Sequence, residues 1–302
     1  MTDALLKALS FIFIMALGYV LKRVKMFGPE DYRIMVKVVV NITLPVSIVV
    51  SFSNSTFDWS LLSLTVIGLI INCVLLAVGL LLSRGKKPGD RALIALLLQG
   101  YNIGAFAMPF TGSALGHEGA AATCLFDAGN AIMCTGGSYA VADAVLCGTG
   151  KFRPSDLLKK LCGTPPFVTY VSMLLLTVLG FRLPQPVVDF ITPIASANSY
   201  CAMMMMGLMF SLDFPRETFR QVKLLVAVRF AIAVALALAF FLLLPLPLVA
   251  RKTLAVLVFA PPSVLTAVFV EKCGGNGSAA SCAASLCTLT AVLGILAVLI
   301  LT

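Results

Sequence analysis

Apolar stretches of bilayer length use up nearly the whole of this chain, and a sequence built that way has little freedom in its choice of fold. In hydrocarbon every backbone N–H and C=O must find its partner within the protein, so helices and closed barrels are the only structures that cross. Segments of roughly 20 residues suit a helix, since barrel strands are about half that length. Of the 302 residues, 60% are hydrophobic and only 12% charged, far from the balance of a soluble domain. The reading is an all-α integral membrane protein. Hydropathy places ten transmembrane helices, centred near residues 13, 43, 71, 101, 132, 168, 199, 232, 260 and 290. The turns between them are too short to hold a soluble catalytic domain. Nine cysteines lie mostly inside apolar segments without C-x-x-C spacing, so they read as small buried side chains and point to no disulfide, metal site or cofactor.

Charge orients the spans. If the odd-numbered turns face the cytoplasm, they carry 17 of the 22 Lys and Arg residues against 4 outside, with Arg229 inside a span. So large a bias puts both termini on the extracytoplasmic side of a multi-pass protein. The net charge of +9 is then explained by anionic lipid at the cytoplasmic surface, without nucleic acid. Asp3 precedes the first apolar segment and Lys22, Arg23 and Lys25 follow it, the reverse of a signal peptide's charge order, so this segment reads as a permanent span.

Two of the spans contain material that breaks helices. In the fourth, Tyr101-Asn102-Ile103-Gly104 leads to Pro109; in the ninth, Phe259-Ala260 leads to Pro261-Pro262-Ser263. Proline removes a donor and orphans the carbonyl four residues back, and broken backbone survives at membrane depth only inside protein or beside a wet cavity. At a rise of about 1.5 Å per residue, Asn102 lies roughly 16 Å from Arg91 and Pro261 roughly 13 Å from Lys252, near the bilayer centre. Spans four and nine run in opposite directions, so they are expected to cross as an antiparallel X. Half-helix N-termini near Phe110 to Gly112 and Ser263 to Leu265 would then offer amide hydrogens and a positive dipole end to an anion, most simply a carboxylate. Asn41, Thr43, Gln99, Tyr101, Ser263 and Thr266 can add polar contacts or merely satisfy loose backbone. Plain kinks in ordinary helices are the alternative.

Ten spans divide into five and five, and an odd number per set inverts the second set relative to the first. The expected domains are residues 1–150 and 151–302, forming a 5+5 inverted repeat with its seam in the basic turn from Lys151 to Lys160. Aligning Pro109 with Pro262 gives an offset of 153, which carries Pro45 onto Asn198.

Ionisable groups inside apolar spans mark a pathway or a pair. Asp127 shares a helical face in span five with Asn130 and Cys134, where an acid can take up and release a proton as the site opens to each side, or serve as a fixed hydrogen-bonding partner. Arg229 lies six residues beyond Lys223, roughly 9 Å into span eight, and is expected to snorkel to the cytoplasmic surface unless it pairs with a carboxylate. Met203 to Met206 read as packing or lipid contact, and His117 as part of a short outer turn. Enzyme chemistry finds no support: the chain holds a single histidine, no H-E-x-x-H and no G-x-S-x-G.

Asn41-Ile42-Thr43-Leu44-Pro45, Asn102-Ile103-Gly104 with Pro109, Pro165-Pro166, Met206-Gly207-Leu208, Arg229 and Pro261-Pro262 occur in an order that resembles the auxin efflux carrier (AEC) family of plant PIN-type carriers and bacterial malate and malonate permeases. The resemblance covers nearly the whole chain. It implies a fold like that of bile acid symporters and sodium/proton antiporters, with broken crossover helices four and nine, a dimerising scaffold, a transport domain and elevator-type alternating access. It also implies that Asn102 binds the substrate carboxylate. One departure stands out, since family members often carry a proline near position 200 where this chain has Asn198-Ser199-Tyr200. The expected substrate-binding residues are Asn41, Asn102, Gly104, Pro109, Pro261, Pro262 and Ser263, with Asp127 and Asn130 for coupling. The expected function is a secondary carrier or uniporter of a small organic anion, driven by protons or, second, by sodium. A homodimer in a bacterial inner membrane follows from the same resemblance and from the compact chain. A sodium-coupled symporter of the bile acid type and a non-transporting receptor or scaffold remain the alternatives.

Overall fold

The computed structural model describes residues 2–28, 30–55, 62–147 and 154–302, and every regular element among them is a helix. In chain order these are α1 (Thr2–Arg23), α2 (Tyr32–Ser53), α3 (Ser63–Leu82), α4 (Pro88–Leu98), α5 (Ile103–Cys147) and α6 (Pro154–Cys162). They continue with α7 (Pro165–Val178), α8 (Gln185–Met209), α9 (Arg216–Leu243), α10 (Leu248–Leu257), α11 (Thr266–Lys272) and α12 (Gly277–Leu301). Among the described residues α2, α3, α9 and α12 are each long and apolar enough to cross a membrane alone. The count is six if two bent pairs each make one span, α4 with α5 at 45° and α6 with α7 at 82°. The predicted seam at residues 150 and 151, with Lys151 and Arg153, lies outside the described residues.

α5 doubles back at Gly116, whose φ of 69° and ψ of −160° belong to a region open essentially to glycine alone. The Thr123 hydroxyl donates to the Thr111 hydroxyl at 2.8 Å. Twelve residues of straight helix would hold the two about 18 Å apart. His117 sits exposed at this corner.

Small residues set the closest helix contacts. A Cβ on Gly207 of α8 would lie 2.1 Å from the Met15 carbonyl of α1, and one on Gly129 of α5 would lie 1.9 Å from the Thr65 carbonyl of α3. Lipid tails are as apolar as leucine, so helices in a bilayer gain by backbone approach rather than by hiding apolar surface. The complementary observation is on the outside, where Phe190 of α8 is 82% exposed and Leu224 of α9 is 71% exposed, a composition suited to lipid.

Pro45 and Asn198, which the alignment of the two halves pairs, do not break their helices. Pro45 follows a π-helical turn at Val39–Thr43 and occupies the opening of the next helical segment, where its missing N–H is not needed. Asn198 lies in uninterrupted α8, which accommodates Pro193 instead. The Thr43 hydroxyl donates to the Asn198 side-chain carbonyl at 2.9 Å, so the pair ties α2 to α8.

Candidate functional site

α4 stops at Leu98 because Gln99 turns extended (φ −101°, ψ 170°) and Gly100 takes φ +78°, a left-handed conformation that ends a helix at little cost for glycine. The chain stays unwound to Asn102 and winds again at Ile103. In the second half α10 ends at Leu257, Pro261 and Pro262 keep the backbone out of helix, and α11 begins at Thr266. The two unwound segments meet: the Asn102 N–H donates to the Pro261 carbonyl at 2.8 Å.

The first break therefore falls at Gln99 to Asn102, and Pro109 is not its cause. A π-helical turn at Ile103–Ala107 lets the Met108 N–H reach the Ile103 carbonyl, and Pro109 enters the following segment near its start, where no donor is required. The amides of Phe110 to Gly112, expected to face an anion, lie inside helix, and Phe110 and Thr111 are fully buried. α11 has only seven residues, too short for a strong dipole. The helix ends at Leu98 and Leu257 are 159 positions apart, six more than the proline-based offset.

Arg229 does not snorkel. It is 6% exposed on the inner face of α9, and its guanidinium lies between the two breaks. One terminal nitrogen donates to the carbonyls of Leu97 and Gln99, the latter at 3.4 Å; the other donates to Gly100 at 2.9 Å and Ala260 at 3.0 Å. Its carbon sits 5.1 Å from the centre of the Tyr101 ring, a cation–π contact. These carbonyls close α4 and α10, where orphan acceptors and a partial negative charge collect.

On the other side of the first break a buried polar network holds the unwound chain. The Asn130 side chain reads Tyr101 in full, donating to its carbonyl at 2.9 Å and accepting its N–H at 3.2 Å. Asn72 of α3 accepts the Gly100 N–H at 2.6 Å and donates to Asn130 at 3.1 Å. Asp127 accepts from the Asn130 amide at 2.8 Å and from the Tyr170 hydroxyl of α7 at 2.6 Å. Asp127 and Asn130 are brought together, as their spacing on one face predicted. Asn72 and Tyr170 were missed in the sequence. An asparagine inside a long apolar span was the available signal for the first, whereas Tyr170 looks like any aromatic near a helix start.

A cavity of about 400 Å³ runs from the crossing to the helix ends at Arg33 and Glu271. Asn102, Pro261, Pro262 and Ser263 line its inner end beside Met206. Among the described residues the Asn102 side-chain amide donates only to the Met206 sulfur, at 3.4 Å. Gly104 and Pro109 do not line it: a Cβ on Gly104 would meet Leu44 at 2.6 Å and Asp127 at 3.5 Å, so Gly104 serves packing behind the site. Asn41 is exposed on α2, bonded to the Lys37 carbonyl at 2.8 Å, and is not brought to the crossing. Its helical position one turn from Lys37 explains the misplacement, since a polar side chain there finds its own backbone first.

Residues 4–148 match the family model described as membrane transport protein. A protein of Methanocaldococcus jannaschii described as an uncharacterized transporter is 26% identical over 219 residues, 66% of this chain and 67% of the relative. The family and the relative are what this chain is similar to, and both point to transport and away from enzyme chemistry. Broken helices joined at their unwound segments, an all-helical apolar chain and these matches lead to one assignment: the protein is a multi-pass membrane transporter whose residues 4–148 are similar to the membrane transport protein family.

Proposed function

We propose that the protein is a secondary carrier of a small organic anion, a carboxylate, working by elevator-type alternating access. The observation that carries the reading is the Asn102–Pro261 backbone bond at the inner end of a cavity, which makes the junction of two broken helices the natural place for a solute. At that place Asn102, among the described residues, offers its amide to nothing better than a thioether, a weak acceptor. Exchanging sulfur for a carboxylate oxygen gains a charge-assisted hydrogen bond at small loss. Ser263 adds a hydroxyl, and Pro261 and Pro262 keep the backbone open beside it. Asp127 and Asn130 stand behind the unwound chain, where gain or loss of a proton on Asp127 would alter the hold on Tyr101 and so couple proton to substrate.

In this reading the ten spans form two inverted sets, residues 1–150 and 151–302, with both termini extracytoplasmic in a bacterial inner membrane and two copies joined through a scaffold. The cavity reaches Arg33 and Glu271, on the side of the basic turns, so the arrangement corresponds to a cytoplasm-open state. Uptake by proteoliposomes of mono- and dicarboxylates, under pH and sodium gradients imposed separately, tests the proposal. Saturable uptake of at least one carboxylate is expected; flux of cations or neutral solutes with none of any anion would refute it. A receptor or scaffold without transport would show no flux and would tolerate Asn102→Ala.

A further inference from the structure

Arg229 has no role in the function proposed above, yet it is the most unusual charge in the molecule. It is buried at the crossing, and among the described residues no carboxylate forms an ion pair with it. A lone cation at membrane depth is costly unless something offsets its charge. What surrounds it is carbonyl oxygen: Leu97, Gln99 and Gly100 from the first break and Ala260 from the second. Two helix C-termini each contribute about half a negative elementary charge, which together match one guanidinium. The planar fork of donors reaches both breaks from a single side chain, as a lysine's compact ammonium does not.

In broken-helix carriers such unwound carbonyls and half-helix C-termini are where a driving cation is held. From this placement we infer that Arg229 is a built-in cation: it occupies the carbonyl cluster that a coupling sodium ion would need, makes the carrier independent of sodium, and locks α4 to α10 so that the two breaks move as one unit. Arg229 is a positioning residue, since it touches backbone and not the proposed solute position. It also leaves the field at the crossing favourable to an anion, because the negative helix ends are already neutralised. The inference rests on the reading that anions cross at this junction, and the experiment separates the two.

The test uses the full chain, wild type, Arg229→Lys and Arg229→Ala, in proteoliposomes and in detergent. Wild-type carboxylate uptake is expected to be equal within twofold in sodium, potassium and choline chloride at one ionic strength. Arg229→Ala is expected to lose at least tenfold in flux, with part restored by millimolar methylguanidinium, and Arg229→Lys to fall between. In detergent, methylguanidinium is expected to raise the melting temperature of Arg229→Ala and not of wild type. Wild-type uptake that drops more than fivefold without sodium would overturn the inference, as would a folded Arg229→Ala with flux within twofold of wild type. If no anion is transported at all, the carrier reading fails, and the melting experiment still decides whether the cluster is a guanidinium site. If Arg229→Ala does not fold, Arg229→Lys and the wild-type ion series decide: Arg229→Lys at full flux counts against a role for the planar fork.

Discussion

The contact between Tyr170 and Asp127 joins α7 to α5 through one oxygen pair, and it is the sharpest place to test how the site is held. The hydroxyl lies 2.6 Å from the carboxylate, Tyr170 is 2% exposed and Asp127 9%. Hydrogen bonds to a charged group in proteins contribute about 1.5–3 kcal/mol, whereas double-mutant cycles inside a membrane average about 0.6 and reach about 1.7. A short, doubly buried bond to a carboxylate belongs at the top of the membrane range, so a coupling energy of about 1–1.7 kcal/mol is expected. Tyr170→Phe removes the donor, leaves Asn130 as the partner Asp127 retains, and should lower the melting temperature by roughly 4 °C at roughly 2–4 °C per kcal/mol. Asp127→Asn should be milder: with its oxygen toward the Asn130 amide it can donate its own N–H to the Tyr170 oxygen, so both contacts survive in reversed polarity. The assay is thermal unfolding in detergent of wild type, Tyr170→Phe, Asp127→Ala and the double variant, combined as a cycle, with Asp127→Asn melted alone for comparison. A coupling energy below about 0.3 kcal/mol would show that the bond contributes nothing, and the described network would then not be what holds the unwound chain.

Three further outcomes follow from the geometry. Asn102→Ala should cut carboxylate flux more than tenfold while moving the melting temperature little, because its side chain gives up only a contact to sulfur; unchanged kinetics would remove Asn102 from the site. Asn72→Ala should destabilise the protein by about 1–3 kcal/mol and expose the Gly100 amide to hydrogen exchange, since that N–H loses its 2.6 Å acceptor; protection equal to wild type would contradict the assignment. Gly129→Ala should cost about 1–3 kcal/mol or more, its new methyl lying 1.9 Å from the Thr65 carbonyl, whereas Gly112→Ala, with 3.7 Å to its nearest neighbour, should be neutral or slightly stabilising; equal melting temperatures for the two would refute the packing argument.

The apolar runs alone determined that the chain is helical and membrane-embedded, because hydrocarbon leaves the backbone no other way to satisfy its polar groups. They also located the break at Pro261-Pro262, where two successive missing donors cannot be absorbed, and the pairing of Asp127 with Asn130, which helical spacing dictates. Tertiary structure decided what periodicity does not encode. A π-helical turn absorbs Pro109, so the first break falls on Gly100 instead, where a left-handed φ is cheap and Asn72 and Asn130 arrive from other helices to hold the freed groups. Arg229 is the clearest case. Its distance from the end of its own helix predicts a side chain stretching to the surface, but four carbonyls from α4 and α10 converge on it, and no property of α9 by itself announces them. Local sequence sets which backbone groups are left without partners; only the assembled helices settle which side chain answers them.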